Sequence, residues 1–343
     1  MRILLTANIT PFLQGGADYH INGLHNALQQ SGFETELIRL PFKFNPLEDI
    51  QDLMGYCAGL DMNRPNGISI DRVISLQFPG YGIQHDDHWV WLMHQHRAVY
   101  ELFDPQKADV PLGQLREAIV QYDGRALSSA HKVFANSQRV ADRLKQFNSI
   151  DSTALYHPPG YAERFRCEDP LPYVFYPSRL ESLKRQTLLI EAAQYVQAPV
   201  KIVLAGTGGQ YANYQQLIRD CGVEDQVILL GSITEAEKIA YYAHALAVCF
   251  VPYDEDYGYI TLEAMLSSKP VITATDAGGP LEFVTHGHNG WVCEPDPQAM
   301  AAAIDEAFYK PLVSHEMGRS GRARYAELGI SWTNVVEKLT AEV

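Results

Sequence analysis

Glu255 and Glu263 stand eight positions apart in the stretch Asp254-Glu255-Asp256-Tyr257-Gly258-Tyr259-Ile260-Thr261-Leu262-Glu263-Ala264, directly after an apolar run at 247–251. A carboxylate only accepts hydrogen bonds, so it suits a ligand presenting hydroxyls, and a cis-diol such as a ribose can offer two of them to one carboxylate. Gly258 marks a change from loop to helix. Glu255 then belongs to the loop and Glu263 to the second helical turn, so the two carboxylates face different parts of one extended ligand. The expectation is that Glu263 takes a ribose and Glu255 a sugar hydroxyl, with Tyr257, Gly258 and Tyr259 between them in the donor site. Asp254 and Asp256 also spell D-x-D, a pattern that can hold a metal on a phosphate; solvated loop acids are the preferred reading, and no metal is expected.

A second set of residues is cationic. Arg179 and Lys184 lie in Pro177-Ser178-Arg179-Leu180-Glu181-Ser182-Leu183-Lys184-Arg185, after an apolar run at 173–177. A diphosphate leaving group gains charge as a glycosidic bond breaks, so fixed cations aimed at it act mainly in the transition state. Arg179 can grip two oxygens with its planar fork, and Lys184 offers a compact charge. Gly206 and Gly208, and then Gly278 and Gly279, follow other apolar runs. Glycines there let a backbone approach a ligand or simply make a turn. Near the N-terminus, Gln14-Gly15-Gly16-Ala17 opens a helical pattern, where free N–H groups could receive an anion. His94 and His96 follow another run, in Trp91-Leu92-Met93-His94-Gln95-His96. A histidine so placed can bond a sugar hydroxyl or a leaving phosphate. Metal ligation by the pair is the alternative, without an obvious third ligand. His94 is preferred over His96, which alternation puts on the opposite face.

These residues need elements to hold them. Short apolar runs at 3–6, 35–40, 72–76, 89–93 and 132–135 alternate with helical periods, and the alternation restarts at 173–177, 200–205, 227–230, 247–251, 270–273 and 291–293. That pattern predicts an α/β protein with parallel sheets covered by helices. His157-Pro158-Pro159-Gly160 and Asp169-Pro170-Leu171-Pro172 punctuate the chain between the two series. Two doubly wound domains are therefore expected, at 1–165 and 166–329, with ligands at the carboxyl ends of their strands. The length of 343 residues and 46% hydrophobic content suffice for two cores. A net charge of −14 argues against a nucleic-acid partner. Five scattered cysteines without a CxxC pair fit a reduced, cytoplasmic setting. The first ten residues read as a buried strand, while peripheral contact with the inner face of a membrane stays open.

Taken together, these stretches resemble family 4 of the glycosyltransferases, retaining enzymes of the GT-B fold. The segment from Glu255 to Ala264 looks like the family's E-x7-E signature. Arg179 and Lys184 match its basic pair for the donor diphosphate, Gly15 and Gly16 its first-loop glycines, and His94 the histidine near the donor sugar. Arg185 stands where the family usually has glycine. The resemblance implies two Rossmann-like domains facing across a cleft, the donor held by the C-terminal one, and a last helix near 330–343 crossing back onto the first. It also implies a nucleoside diphosphate sugar as donor substrate without a cofactor, and a glycan, lipid-linked or small-molecule acceptor. Alternatives are a GT-B epimerase or phosphorylase, or a catalytically silent sugar-nucleotide binder.

Overall fold

The computed structural model describes residues 1–12 and 15–342; Gln14, from the first-loop reading, lies outside them. The chain divides into two compact units: Met1–His157 with Ser331–Val343, and Pro158–Ile330. The division falls in the first proline cluster, eight residues ahead of the expected boundary at 165.

Unit 1 holds strands β1 (Arg2–Ile9), β2 (Glu34–Pro41), β3 (Arg72–Ser75), β4 (His88–Leu92), β5 (Lys132–Ala135) and β6 (Thr153–Ala154), in a parallel sheet of order β2-β1-β3-β4-β5-β6. Its helices are α1 (Gly16–Gln30), α2 (Leu47–Ala58), α3 (Val110–Ser129) and α4 (Gln138–Asn148). β3 and β4 are buried along their whole length, as strands covered on both faces must be, which is why they read as continuous apolar runs rather than alternations. The two-residue β6 had no such run to announce it.

Unit 2 holds β7 (Tyr173–Pro177), β8 (Lys201–Ala205), β9 (Val227–Gly231), β10 (Ala247–Cys249), β11 (Val271–Ala274) and β12 (Gly290–Cys293), again all parallel, in the order β12-β11-β10-β7-β8-β9. Its helices are α5 (Gln186–Ala192), α6 (Tyr211–Cys221), α7 (Glu235–His244), α8 (Tyr259–Leu266), α9 (Pro297–Tyr309) and α10 (Pro311–Glu327). The last helix, α11 (Trp332–Leu339), belongs to unit 1. Val335, Val336 and Leu339 enter the core formed by Ile3, Leu5, Ile21 and Leu24. Trp332 lies so close to α1 that a Cβ on Gly23 would come within 2.1 Å of its ring. Arg72 then ties the end of the chain down by donating to the carbonyls of Leu339 (2.8 Å) and Ala341 (3.2 Å).

Among the described residues no helix is long and apolar enough to cross a membrane.

Candidate active site

In unit 2 the sheet changes direction between β7 and β10. The chain leaves β7 toward β8 on one side and leaves β10 toward β11 on the other, so the loops after these neighbouring strands diverge and open a crevice at their carboxyl ends. The loop after β7 carries Arg179 and Lys184, and the loop after β10 carries Glu255 and leads into α8 with Glu263. The fold thus collects both chemical clusters at its switch point.

Lys184 and Glu255, given separate tasks by the sequence, form one ion pair: Lys184 Nζ donates to Glu255 Oε1 at 2.7 Å and to Oε2 at 2.6 Å. Arg179 differs. It is exposed, and its guanidinium has no hydrogen bond or ion pair among the described residues, while its carbonyl accepts from Gln186 Nε2. Arg185 adopts a left-handed φ of +49°, which explains a family preference for glycine at this position. Its guanidinium offsets that strain by holding Asp276 with two bonds (2.8 and 2.6 Å) and donating to the carbonyls of Val251 (2.9 Å) and Pro252 (2.7 Å). Arg185 therefore joins the loop after β7 to those after β10 and β11.

Glu255 is also fixed through its backbone, its N–H donating to Ala277 O and its carbonyl accepting from Gly279 N, both at 2.8 Å. Gly278 permits this approach: it has φ +76°, and a Cβ there would fall 2.6 Å from Glu255 O. Gly279 faces the carbonyls of Asp256 and Tyr257 just as closely. Gly206 and Gly208 likewise lie against the carbonyls of Ser178 and Leu180, where a Cβ would sit at 2.1 and 2.4 Å. Their lack of a side chain is accounted for by packing of the loop after β8 on the loop after β7. Gly258 caps the start of α8. Tyr257 is buried edge-to-face with Tyr259 and Phe283, and Tyr259 is half-buried. Asp254 is buried rather than a solvated loop acid, and Asp256 is half-buried. Among the described residues no group of three His, Cys, Asp or Glu gathers as a metal cluster.

Glu263 is only 5% exposed. Lys238 Nζ donates to its Oε1 at 2.9 Å, and Tyr242 OH to its Oε2 at 2.6 Å. Each oxygen accepts one bond and keeps a second lone-pair direction, which leaves the carboxylate able to take a diol. Sequence reading missed Lys238 and Tyr242. They stand four apart on one face of α7, beside the buried Ile239, so a lysine on an apolar helical face was the available signal.

In unit 1 the N-cap of α1 carries a carboxylate of its own chain. The Gly15 N–H donates to Asp18 Oδ2 at 3.0 Å, and Asp18 also pairs with Arg39 at 3.0 Å. Gly16 is the first residue of that helix. His94 is exposed, with Nδ1 2.7 Å from Gln95 O; the donor assignment that this implies leaves Nε2 as an acceptor. The expected opposite strand face for His96 fails on two counts: residues two apart on a strand share a face, and β4 ends at Leu92. His96 sits among Phe42, Phe44 and Phe78, where burial, then the neighbouring His94, lower its pKa to about 4 and keep it neutral.

Residues 163–324 match the family model described as glycosyl transferases group 1. The match takes in nearly the whole of unit 2. Within the matched residues lie both switch-point loops and both glutamates. The chain is similar to the mouse alpha-1,3/1,6-mannosyltransferase ALG2, 36% identical over 117 residues, which are 34% of this chain and 28% of the relative. It thus spans under a third of that relative's length. Sucrose-phosphate synthase from Thermosynechococcus elongatus covers 98% of this chain and 97% of its own at 17% identity with a TM-score of 0.76. The Anabaena protein HepE, solved in complex with UDP and glucose, covers 99% and 98% at 18% identity with a TM-score of 0.71. At such identities the likeness is one of fold: two Rossmann-like α/β domains.

Proposed function

We propose that this glycosyltransferase moves a sugar from a nucleoside diphosphate sugar to an acceptor hydroxyl with retention of configuration, in glycan or glycoconjugate synthesis. The observation that carries the reading is the switch point of unit 2, where the loops after β7 and β10 bring Lys184 and Glu255 together, Arg179 stands on the first loop and the buried Glu263 on the helix that follows the second. Glu263 takes the ribose hydroxyls and Glu255 a hydroxyl of the sugar. Arg179, whose guanidinium makes no hydrogen bond or ion pair among the described residues, receives the diphosphate first. When Glu255 turns to the sugar, Lys184 is released to meet the charge that grows on the leaving group, so the site contributes most in the transition state. His94, with Nε2 as an acceptor, serves the donor sugar.

The charge on the diphosphate is met by side chains and backbone N–H groups without a metal. The acceptor is a glycan, a lipid-linked sugar or a small polyol, and the enzyme works in the cytoplasm or at the inner face of a membrane. The UDP and glucose bound by HepE, and the mannosyl transfer in the name of the mouse relative, make uridine and guanosine diphosphate sugars the first donors to try.

A thermal-shift panel of such donors tests the reading, since a ligand that binds only the folded state raises stability by about 2.7 kcal/mol at a hundredfold excess over Kd. Anomeric analysis of the product then tests retention. No shift with any nucleotide sugar, or a product of inverted configuration, contradicts it.

A further inference from the structure

Burying a carboxylate removes its hydration, and a buried charge persists only when it is paired and hydrogen-bonded. Glu263 meets both conditions through one helix. Lys238, on α7, reaches its Oε1 at 2.9 Å and is itself braced by Glu235 at 3.0 Å, and Tyr242, one turn further along, reaches Oε2 at 2.6 Å. The two donors take one lone pair from each oxygen and fix the plane of the carboxylate. We propose that Lys238 and Tyr242 are positioning residues, holding Glu263 as a charged and oriented acceptor for the ribose hydroxyls of the donor. The inference rests on the ribose role given to Glu263 above.

The surrounding groups support it. Burial works against the charge on Lys238, but the carboxylates of Glu263 and Glu235 outweigh it and hold the amine above its ordinary range. The phenol of Tyr242 is held above its own, first by burial and then by Glu263, so it remains a donor. Tyr176 on β7 points its hydroxyl to Lys184 O, Arg322 on α10 donates to the backbone of Leu266, and Lys269 donates to Glu168 O. None of these supplies Glu263 with a second cation. Without Lys238 the carboxyl would face a phenol in a buried place, the circumstance of Asp123 in unit 1, where burial raises the carboxyl to about 7 against two tyrosine hydroxyls.

Calorimetric titration of the full chain with uridine diphosphate and guanosine diphosphate, at about pH 6 and about pH 8.5, tests the proposal. For whichever probe the wild type binds, Lys238→Met is expected to weaken binding severalfold more at the lower pH, since a buried carboxylate that has lost its ammonium partner is the more readily neutralised by a proton. Taking the ratio of variant to wild-type Kd cancels the protonation of the diphosphate itself. Lys238→Arg, which restores the charge, should flatten the profile. Equal weakening at both pH values with unchanged circular dichroism reduces Lys238 to a packing residue and overturns the inference, as does wild-type affinity. Should Lys238→Met fail to fold, Tyr242→Phe decides: it is expected to bind severalfold more weakly, and no change sinks the proposal. Glu263→Gln separates the two levels. If it binds as the wild type does, or if the wild type binds neither probe, the ribose reading falls and takes the inference with it; a loss in Glu263→Gln with none in Lys238→Met removes only the part played by Lys238.

Discussion

Asp123 in unit 1 and Glu263 in unit 2 are both buried carboxylates that accept from tyrosine hydroxyls: Tyr81 (2.6 Å) and Tyr100 (2.7 Å) for the first, Tyr242 (2.6 Å) for the second. They differ in the second partner. Glu263 has an ammonium against it, where Asp123 has another phenol. The same contrast runs through the strand ends above each sheet. In unit 2 the loops are joined by Lys184–Glu255 and Arg185–Asp276, and helices α7 and α8 by Lys238–Glu263. In unit 1, Phe42, Phe44, Phe78 and a neutral His96 lie beyond β2, β3 and β4. A ligand carrying two phosphates finds cations and exchangeable ion pairs in one unit. The other sets uncharged rings beside its own Arg39–Asp18 and Arg97–Glu101 pairs.

The contrast breaks most visibly at Asp123. Its carboxyl is raised from 3.8 to about 7, chiefly by burial, so the folded state keeps its proton where the unfolded state has lost it. Stability from this group is present below pH 4 and is lost as pH rises from about 4 to about 7, a span of some three pKa units that amounts to on the order of 4 kcal/mol. Asp123→Asn keeps the shape and cannot ionise. Urea melts at about pH 5 and about pH 8 should show the variant losing much less stability between them than the wild type. An unchanged difference would mean that Asp123 is not the group that titrates.

Next in size are the cations of unit 2. Arg179→Ala and Lys184→Ala are each expected to lower kcat by roughly 10² to 10³, or about 3 to 4 kcal/mol, more than they raise KM for the donor. The double variant should fall short of the sum, because both residues serve one group. Arg179→Lys should recover only part, since a point charge lacks the two-pronged grip. Lys184→Ala differs in one respect: it also strips Glu255 of its partner, so its effect should shrink in a Glu255→Gln background while that of Arg179→Ala does not. Steady-state kinetics decide, and a wild-type kcat with a raised KM in either single variant would mean that its cation binds ground-state phosphate only.

How far this contrast was legible in the sequence depended on its range. The buried strands announced themselves as apolar runs, and the loops that follow β7 and β10 carried their chemistry in consecutive residues, so Arg179, Lys184, Glu255 and Glu263 could be read together. Pairings across the fold could not. Lys238 meets Glu263 from 25 positions away and Arg185 meets Asp276 from 91. Local rules also misled where the local geometry changed: strand alternation was carried past the end of β4 to His96. For the glycines at 206 and 208 the packing on the loop after β7 could not be told from the approach to a ligand, because a backbone leaves the same trace against another backbone as against a phosphate.

A smaller effect separates the two glutamates of the donor site. Glu263→Gln is expected to weaken the nucleotide sugar and the bare nucleoside diphosphate alike, by about tenfold, since one good hydrogen bond to a charged group contributes about 1.5 to 3 kcal/mol and the amide retains part of it. Glu255→Gln should spare the diphosphate, or tighten it slightly by freeing Lys184, and weaken only the sugar-bearing ligand. Calorimetry on both variants with both ligands tests the division, and equal losses throughout would dissolve it.

The smallest expected effect is none at all, and it bears on why Arg179, Lys184 and Arg185 follow β7 at the switch point of unit 2. A diphosphate leaving group can be neutralised by a bound divalent ion or by fixed side chains, and the two solutions make different demands on a site. A metal needs several oxygen ligands arranged around it. Fixed cations need only be aimed at the leaving oxygen and be free when the bond breaks. Arg179 is exposed without a side-chain partner among the described residues, and Lys184 is held by a single carboxylate that a sugar hydroxyl can engage in its place. Turnover should therefore be the same before and after exhaustive treatment with a chelator, and added magnesium or manganese should not raise it. Activity that disappears with the chelator and returns with the metal would transfer the neutralising role away from these cations. Asp254, buried with φ +46°, and Asp256 beside it would then be the first residues to replace, and the switch point of unit 2 would have to be read as a metal-dependent site.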